Sequence, residues 1–270
     1  MPKFKLEKID MPILAKIIYI ILIMFIIISP FVFIFYRAIT LRRPTGIEFV
    51  GLKFFSEITE DYWRALGNSL MVGFLVSLFD FIIAFPPAYI LSKYDFKFKK
   101  LLTAILVAPM FTPDVVAGVG LSAVYFRYYN LYGTLHGTVL GLASTSYPMM
   151  LLPLLVSIKN LDPTYEEAAK TLGATSFQTI IRVILPLIGP GIFSGFLLTF
   201  VWSINNYLLP LFITGPGIDL LAVKLYSDIR WWGLLGRVAA EASILQLATF
   251  SVMLLYLKTL GTKYLSGFSF

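Results

Sequence analysis

Few side chains in this sequence are equipped for chemistry. It holds no Cys, one His and 15 Asp or Glu among 270 residues. Thiol nucleophiles, disulfide frameworks and thiolate metal sites are therefore excluded. His136 stands alone in a short polar loop beside Tyr132 and Gly137, so no H-E-x-x-H zinc motif is possible and the imidazole reads as a solvated side chain. No G-x-x-x-x-G-K-(S/T) stretch occurs, so ATP phosphates are not cradled by that route. Asp80 and Asp114 lie inside apolar runs, and an intramembrane aspartyl protease would need two such acids at one depth. Their settings, Leu78-Phe79-Asp80-Phe81 and Thr112-Pro113-Asp114-Val115, share no protease pattern. The chain reads as non-enzymatic.

Acids within apolar runs still need an explanation, because a charge at membrane depth is costly and usually faces a cavity or a partner. Asp114 follows Pro113, where a kinked helix frees backbone groups and admits water. It is a candidate either for lining a pathway or for bonding two spans together. Asp80, between aromatic residues halfway along its run, reads as a hydrogen-bonding group toward a neighbouring helix. Glu241 opens the last run and reads as reaching the interface. A further polar and aromatic patch, Trp202, Ser203, Asn205, Asn206 and Tyr207, interrupts another apolar stretch. Amides and hydroxyls suit neutral polyols and rings stack on sugar faces. The competing reading is hydrogen bonding between helices. The pathway reading is favoured for Trp202, Asn205, Asn206, Tyr207 and Asp114.

A segment of opposite character runs from Glu166 to Pro186, EEAAKTLGATSFQTIIRVILP, charged and polar in an otherwise apolar chain. Helix formers fill Glu166 to Lys170, Gly173 interrupts where helices commonly end, and a second helical run follows from Ser176. Two short helices joined at a glycine between two apolar spans form a docking knob, one that can pass a push from a partner into the spans beside it.

The elements that must position these residues are membrane spans. The sequence is 58% hydrophobic and 14% charged, with a mean hydropathy of +0.83, which is membrane composition. Its net charge of +7 flanks apolar runs and argues for a bilayer rather than nucleic acid. A span needs roughly 20 apolar residues, and six are expected, near 15–35, 66–91, 101–126, 138–158, 184–214 and 238–260. The first lacks a cleavage site and reads as retained. The third is broken by Pro109 and Pro113, and the polar stretches 37–63 and 215–235 lie outside the bilayer. Gly191 and Gly195 form a small-xxx-small pattern suited to close helix packing. The expected fold is all-α, polytopic, with six transmembrane helices and the charged segment between spans four and five.

Of the 22 Lys and Arg, 13 fall on the side holding both termini and the Glu166 segment, and 9 on the other. That bias places the termini, including Lys3, Lys5 and Lys8, in the cytoplasm.

Glu167-Ala168-Ala169, three residues, Gly173, nine residues, Val183, then Leu185-Pro186 resembles the EAA loop of ABC importer permeases, with Val183 where the family usually has Ile. Asn68-Ser69-Leu70 and Pro87 through Lys93 are similar to the start of the permease core in the sugar and polyamine branches. Asn206-Tyr207-Leu208-Leu209-Pro210-Leu211 resembles a segment of the carbohydrate branch, although Ile204 stands where that branch usually has Trp. Thr171-Leu172-Gly173-Ala174 resembles the polyamine and phosphonate branches instead.

The resemblance implies a type I importer permease in the plasma membrane, moving solute by alternating access. It implies a homologous second permease, two cytoplasmic ATPase subunits and an extracytoplasmic solute-binding protein as partners, and no nucleic acid. ATP and Mg would sit on the ATPases, with no cofactor on this chain. Glu166, Glu167, Ala168, Ala169, Gly173, Ala174, Leu185 and Pro186 become the ATPase-docking residues. A sugar is the expected substrate, with a polyamine next and ammonium groups then facing Asp80 and Asp114. Residues 1–63 would form an N-terminal span and outer segment, 64–265 the permease core, and 266–270 a cytoplasmic tail. An ion-coupled carrier or channel, the alternative, would need an inverted repeat that the sequence does not display.

Overall fold

The computed structural model describes residues 13–264. The basic head at Lys3, Lys5 and Lys8 and the tail at 266–270 lie outside the described residues. The described residues are 81% helical, as the composition demands. A bilayer core satisfies no backbone polar group, so each crossing segment must bond internally. Contacts divide the chain into two units, residues 1–58 with 233–243, and residues 59–232 with 244–270.

The first unit begins with α1 (Ile13–Ala38). None of its most apolar 18-residue window is buried within the chain, which suits a helix solvated by lipid or by another subunit. An antiparallel hairpin follows, β1 (Thr40–Arg43) and β2 (Gly46–Phe49), turning at Pro44-Thr45 with Arg43 opposite Gly46. The sequence reading left this stretch without strands, and the hairpin adds the one sheet among the described residues. α2 (Lys53–Ser56) comes next. Ala38, Ala239 and Ala240 form a small core with Phe54, Phe55, Ile58 and Leu234 around it. Arg37 Nη2 donates to the Leu234 carbonyl at 3.0 Å.

The second unit is organised by three helices, α3 (Glu60–Lys93), α6 (Leu135–Lys159) and α10 (Gly189–Asn205), which pack on one another. Small residues allow the approach, as expected where lipid supplies no hydrophobic drive between helices. A Cβ on Gly73 of α3 would lie 2.6 Å from Ile204 of α10, and one on Gly195 would lie 3.2 Å from the Met150 backbone of α6. One apolar core gathers Ala84 and Ala88 with Leu151, Leu154, Ile158 and Ile184.

Two expected spans are not straight helices. The third is α4 (Lys99–Val107), a 3-10 turn and α5 (Asp114–Val124), with a 95° bend between its halves. Pro113 drives Thr112 into extended backbone, φ −82° and ψ 125°, which no helix passes through. Beyond α6 stand α7 (Thr164–Thr171), α8 (Ser176–Thr179) and α9 (Leu185–Leu187), meeting α10 at a 71° bend where Gly189 and Pro190 begin a new helix. The expected run to 214 also breaks again, at extended Asn206, before α11 (Leu208–Ile213). Among the described residues four helices are long and apolar enough to cross a membrane, six if each bent pair is one span.

α12 (Leu221–Trp232) lies in the polar stretch expected outside the bilayer, burying Leu221, Ala222 and Leu225. Its first N–H is satisfied by Ser69 Oγ at 2.9 Å, and Asn68 donates to the Asp219 carbonyl at 3.0 Å. α13 (Gly236–Tyr264) closes the chain.

Candidate functional site

The charged segment folds for local reasons. Asp162 Oδ1 accepts from the Thr164 N–H at 2.9 Å and from its hydroxyl at 2.6 Å, an Asx turn that starts α7. These bonds hold the exposed Asp162 carboxyl below the usual carboxylate range. Glu166 and Glu167 stand in the first turn, where the helix dipole favours negative charge. The helix ends in a Schellman motif. Gly173 takes φ +85°, its N–H bonds the Lys170 carbonyl at 2.9 Å, and the Ala174 N–H bonds the Ala169 carbonyl at 3.0 Å. Thr175 and Gln178 then form a capping box that starts α8. Leu172, 88% exposed, and Phe177, 74% exposed, project from the two helices with Tyr165. An apolar knob on polar short helices suits insertion into a partner's cleft.

Glu167, Ala168, Gly173 and Pro186 are exposed, while Ala174 and Leu185 are half-buried. Two expected docking residues are placed otherwise. Ala169 is buried, and Glu166 is only 8% exposed. At i and i+3 they form the inner stripe of α7. The Glu166 carboxylate pairs with Lys93 and accepts from the Tyr89 hydroxyl at 3.3 Å, both from α3. A buried carboxylate without such partners would be strongly unfavourable, so Glu166 turns inward. From the sequence Lys93 is named only as the end of the stretch that resembles the permease core. The available signal was the i, i+4 spacing of Tyr89 and Lys93.

The second cluster surrounds the break after α10. Asp114, first residue of α5, accepts from Asn206 Nδ2 at 2.8 Å. Asn206 Oδ1 accepts from the Leu209 N–H at 3.1 Å, which starts α11. Each end of that amide thus holds one protein partner. Asn205 donates to the Val201 carbonyl at 2.8 Å, and Tyr207 stacks on Tyr226 with centroids 4.6 Å apart. Ser203 is buried and bonds the Thr199 carbonyl, so it leaves the patch. Two cavities meet here. One, about 340 Å³, is bounded by the Pro109–Pro113 turn, Asp114, Thr145, Met149 and Trp202. The other, about 360 Å³, is lined by Asp114, Trp202, Asn205, Asn206 and Tyr207. Asp114 and Trp202 border both, and no Lys, Arg or His lines either. The structure therefore brings together the five residues of the expected pathway. It leaves Asp80 apart, fully buried between α3 and α6 and bonded to Ser146 at 2.5 Å.

Among the described residues no cluster of three or more His, Asp or Glu could hold a metal.

Several helices long and apolar enough to cross a membrane, a capped two-helix knob between them and a polar cavity beside a broken helix fit a membrane transport subunit. Residues 81–258 match the family described as "Binding-protein-dependent transport system inner membrane component", and the chain belongs to that family. It is a type I ABC importer permease. Among relatives, it is 30% identical over 205 residues to the "Probable sulfate transport system permease protein cysT" of Prototheca wickerhamii, covering 71% of this chain and 80% of that one. It is 29% identical to the spermidine/putrescine transport system permease PotC of Escherichia coli K12, covering 67% and 68%. Its fold resembles a chain of a bacterial alginate ABC transporter solved with an alginate pentasaccharide-bound periplasmic protein, with TM-score 0.68, 17% identity and 90% of each chain covered.

Proposed function

We propose that this permease carries a small organic cation of the polyamine class, with Asp114 as the countercharge and Trp202 as the stacking face in its pathway. The observation that carries this is the lining that both cavities share, a carboxylate and an indole with no basic side chain. Asn206 is bonded at both ends, Asn205 is turned onto its own helix, and Tyr207 is stacked. A neutral sugar, the expectation from the sequence, would have to share groups that already hold protein partners. Asp114 and Trp202 border both cavities. A carboxylate beside an indole suits an ammonium group, whose contact with the ring contributes about 0.5–2 kcal/mol. A sulfate-like dianion would meet a carboxylate there with no basic side chain to offset it. PotC, a spermidine/putrescine permease, supports the polyamine reading.

In the assembled transporter this chain pairs with a second permease, rests on two ATPases that hold ATP and Mg, and receives solute from an extracytoplasmic binding protein. The alginate transporter, captured with its periplasmic protein, supports that partnership. The permease core spans about residues 64–265 within the plasma membrane, termini inward, and the chain itself neither hydrolyses ATP nor binds nucleic acid. Closure of the ATPase dimer would draw on the knob formed by α7 and α8, through Glu167, Ala168 and the exposed Leu172 and Phe177, and expose the cavity alternately to each side.

The test is uptake by proteoliposomes holding the complete transporter, offered labelled spermidine, sulfate and maltose in turn. Spermidine uptake that Asp114→Asn lowers about tenfold or more is expected, since one lost charge pairing at depth costs on the order of 1–3 kcal/mol. Transport of maltose that survives Asp114→Asn and fails in Asn206→Ala would restore the sugar reading. Sulfate uptake would overturn the cation reading as well.

A further inference from the structure

Chain connectivity joins the α7 segment to α6 before it and to α10 after it, and those helices are the natural receivers of any displacement delivered there. The geometry ties it more tightly to a third. Glu166 is turned away from the exposed face of α7, and its two oxygens divide their work. Oε1 forms the ion pair with Lys93 Nζ, and Oε2 accepts from the Tyr89 hydroxyl. Tyr89 and Lys93 are one turn apart at the end of α3, so one face of one helix supplies both donors. The pair is well shielded, with the Lys93 and Glu166 side chains 18% and 10% exposed.

The same end of α3 is bonded to α6. Ser92, next to Lys93, donates to the Leu155 carbonyl at 3.1 Å, and Ala84 and Ala88 pack with Leu151, Leu154 and Ile158. By contrast, the route from α8 into α10 passes through a π-turn at Ile180–Ile184, the short α9 and the 71° bend at Gly189. A bend can absorb motion, whereas a shielded ion pair with a second hydrogen bond resists separation. Glu167, the exposed neighbour, remains for the docking face, so Glu166 has a different task.

We propose that the Lys93–Glu166 pair, steadied by Tyr89, is the strut that carries displacement of α7 into α3, so that α3 and α6 move with it as one body. This rests on the reading of α7 as the element that an ATPase moves. Lys93, Tyr89 and Glu166 are positioning residues, since none borders the cavities beside Asp114.

The experiment uses the complete reconstituted transporter and measures solute moved per ATP hydrolysed. Lys93→Met and Glu166→Gln are expected to lower that ratio about tenfold, a coupling loss within the usual range, with ATP hydrolysis maintained. Restoring opposite charges by the exchange Lys93→Glu with Glu166→Lys should recover most of it, and Tyr89→Phe should lower it less than either. An unchanged ratio in both single variants overturns the strut, as does an exchange that recovers nothing. A second measurement does not depend on these variants. The chain has no native Cys, so spin labels at Ile90→Cys and Thr164→Cys report the α3–α7 distance without and with ATP. A constant distance is expected, and a distance that changes on ATP binding overturns the proposal. Coupled uptake by the unmodified complex establishes the ATPase reading separately. If that complex shows no ATP-dependent uptake, the reading fails before the strut is at issue.

Discussion

Gly173 shows how much a single backbone angle can carry. At φ +85° nothing lies within 4 Å of the place a Cβ would take, so any cost of substitution there is conformational rather than steric. Gly173→Val should lose about 1–2 kcal/mol at the joint between α7 and α8, because a β-branched residue resists the left-handed region. Gly173→Asn should be tolerated far better, since Asn accepts that region. Co-purification of the ATPase and ATP-driven uptake will separate the two. Equal behaviour of both variants would mean that the angle is unimportant. Asp162 makes a pH prediction at the same scale. Its folded carboxyl titrates below the unfolded value of about 3.9. Its contribution to the start of α7 is therefore fully present above that value and is lost as pH falls through the lower, folded one. Hydrogen exchange of the first α7 amides should accordingly show constant protection between pH 8 and 5, once the intrinsic rate is removed. Asp162→Ala should raise exchange at Thr164 throughout that range.

Among the elements, the α6–α10 contact is the most exacting. Gly191 lies against Ser157 and Pro153, and Gly195 against Met150, so the small-xxx-small spacing meets the facing helix along a whole turn. A Cβ at Gly195 would stand 2.7 Å from the Met150 sulfur and 3.2 Å from its backbone. The sulfur can shift but the backbone cannot follow without moving the helix. Gly195→Leu should therefore destabilise the folded chain by about 1–3 kcal/mol, read as a lower midpoint of thermal unfolding in detergent. Gly120→Leu, with open space where its Cβ would stand, is the comparison and should leave the midpoint little changed. The break between α10 and α11 is equally specific. Asn206 both bonds Asp114 and starts α11, so Asn206→Ala should disturb helix geometry and cavity together.

For the whole molecule, the prediction is orientation. Lys93, Lys97, Lys99 and Lys100 cluster on the side assigned to the cytoplasm, and Arg42 and Asp219 lie on the other. Single cysteines placed at 97, 42 and 219 can be probed in intact cells with a membrane-impermeant maleimide. Positions 42 and 219 should label from outside and position 97 only after the membrane is opened. Labelling of position 97 from outside would invert the topology and move α7 and α8 away from any cytoplasmic ATPase.

Composition and periodicity were enough to read a helical, multi-pass chain, because a bilayer admits few other backbones. The knob was legible as well. Its glycine, its capping residues and its charge are local signals acting over a few positions, and Gly173, Thr175 and Gln178 act there through bonds to near neighbours. Other features depend on which helices lie side by side, and no local pattern encodes that. Glu166 has the same residue type and helical turn as Glu167, yet one is buried on Lys93 and the other exposed, because α3 ends beside only one face of α7. The polar patch 202–207 was visible as a departure from apolar sequence. That its amides are already bonded, and that Asp114 stands among them across 92 positions, is a matter of tertiary placement. Prolines signalled where the third span would break, but the 95° angle between its halves is visible only in the fold. Residue type sets what a side chain can bond, and only the arrangement of helices decides which partner is within reach.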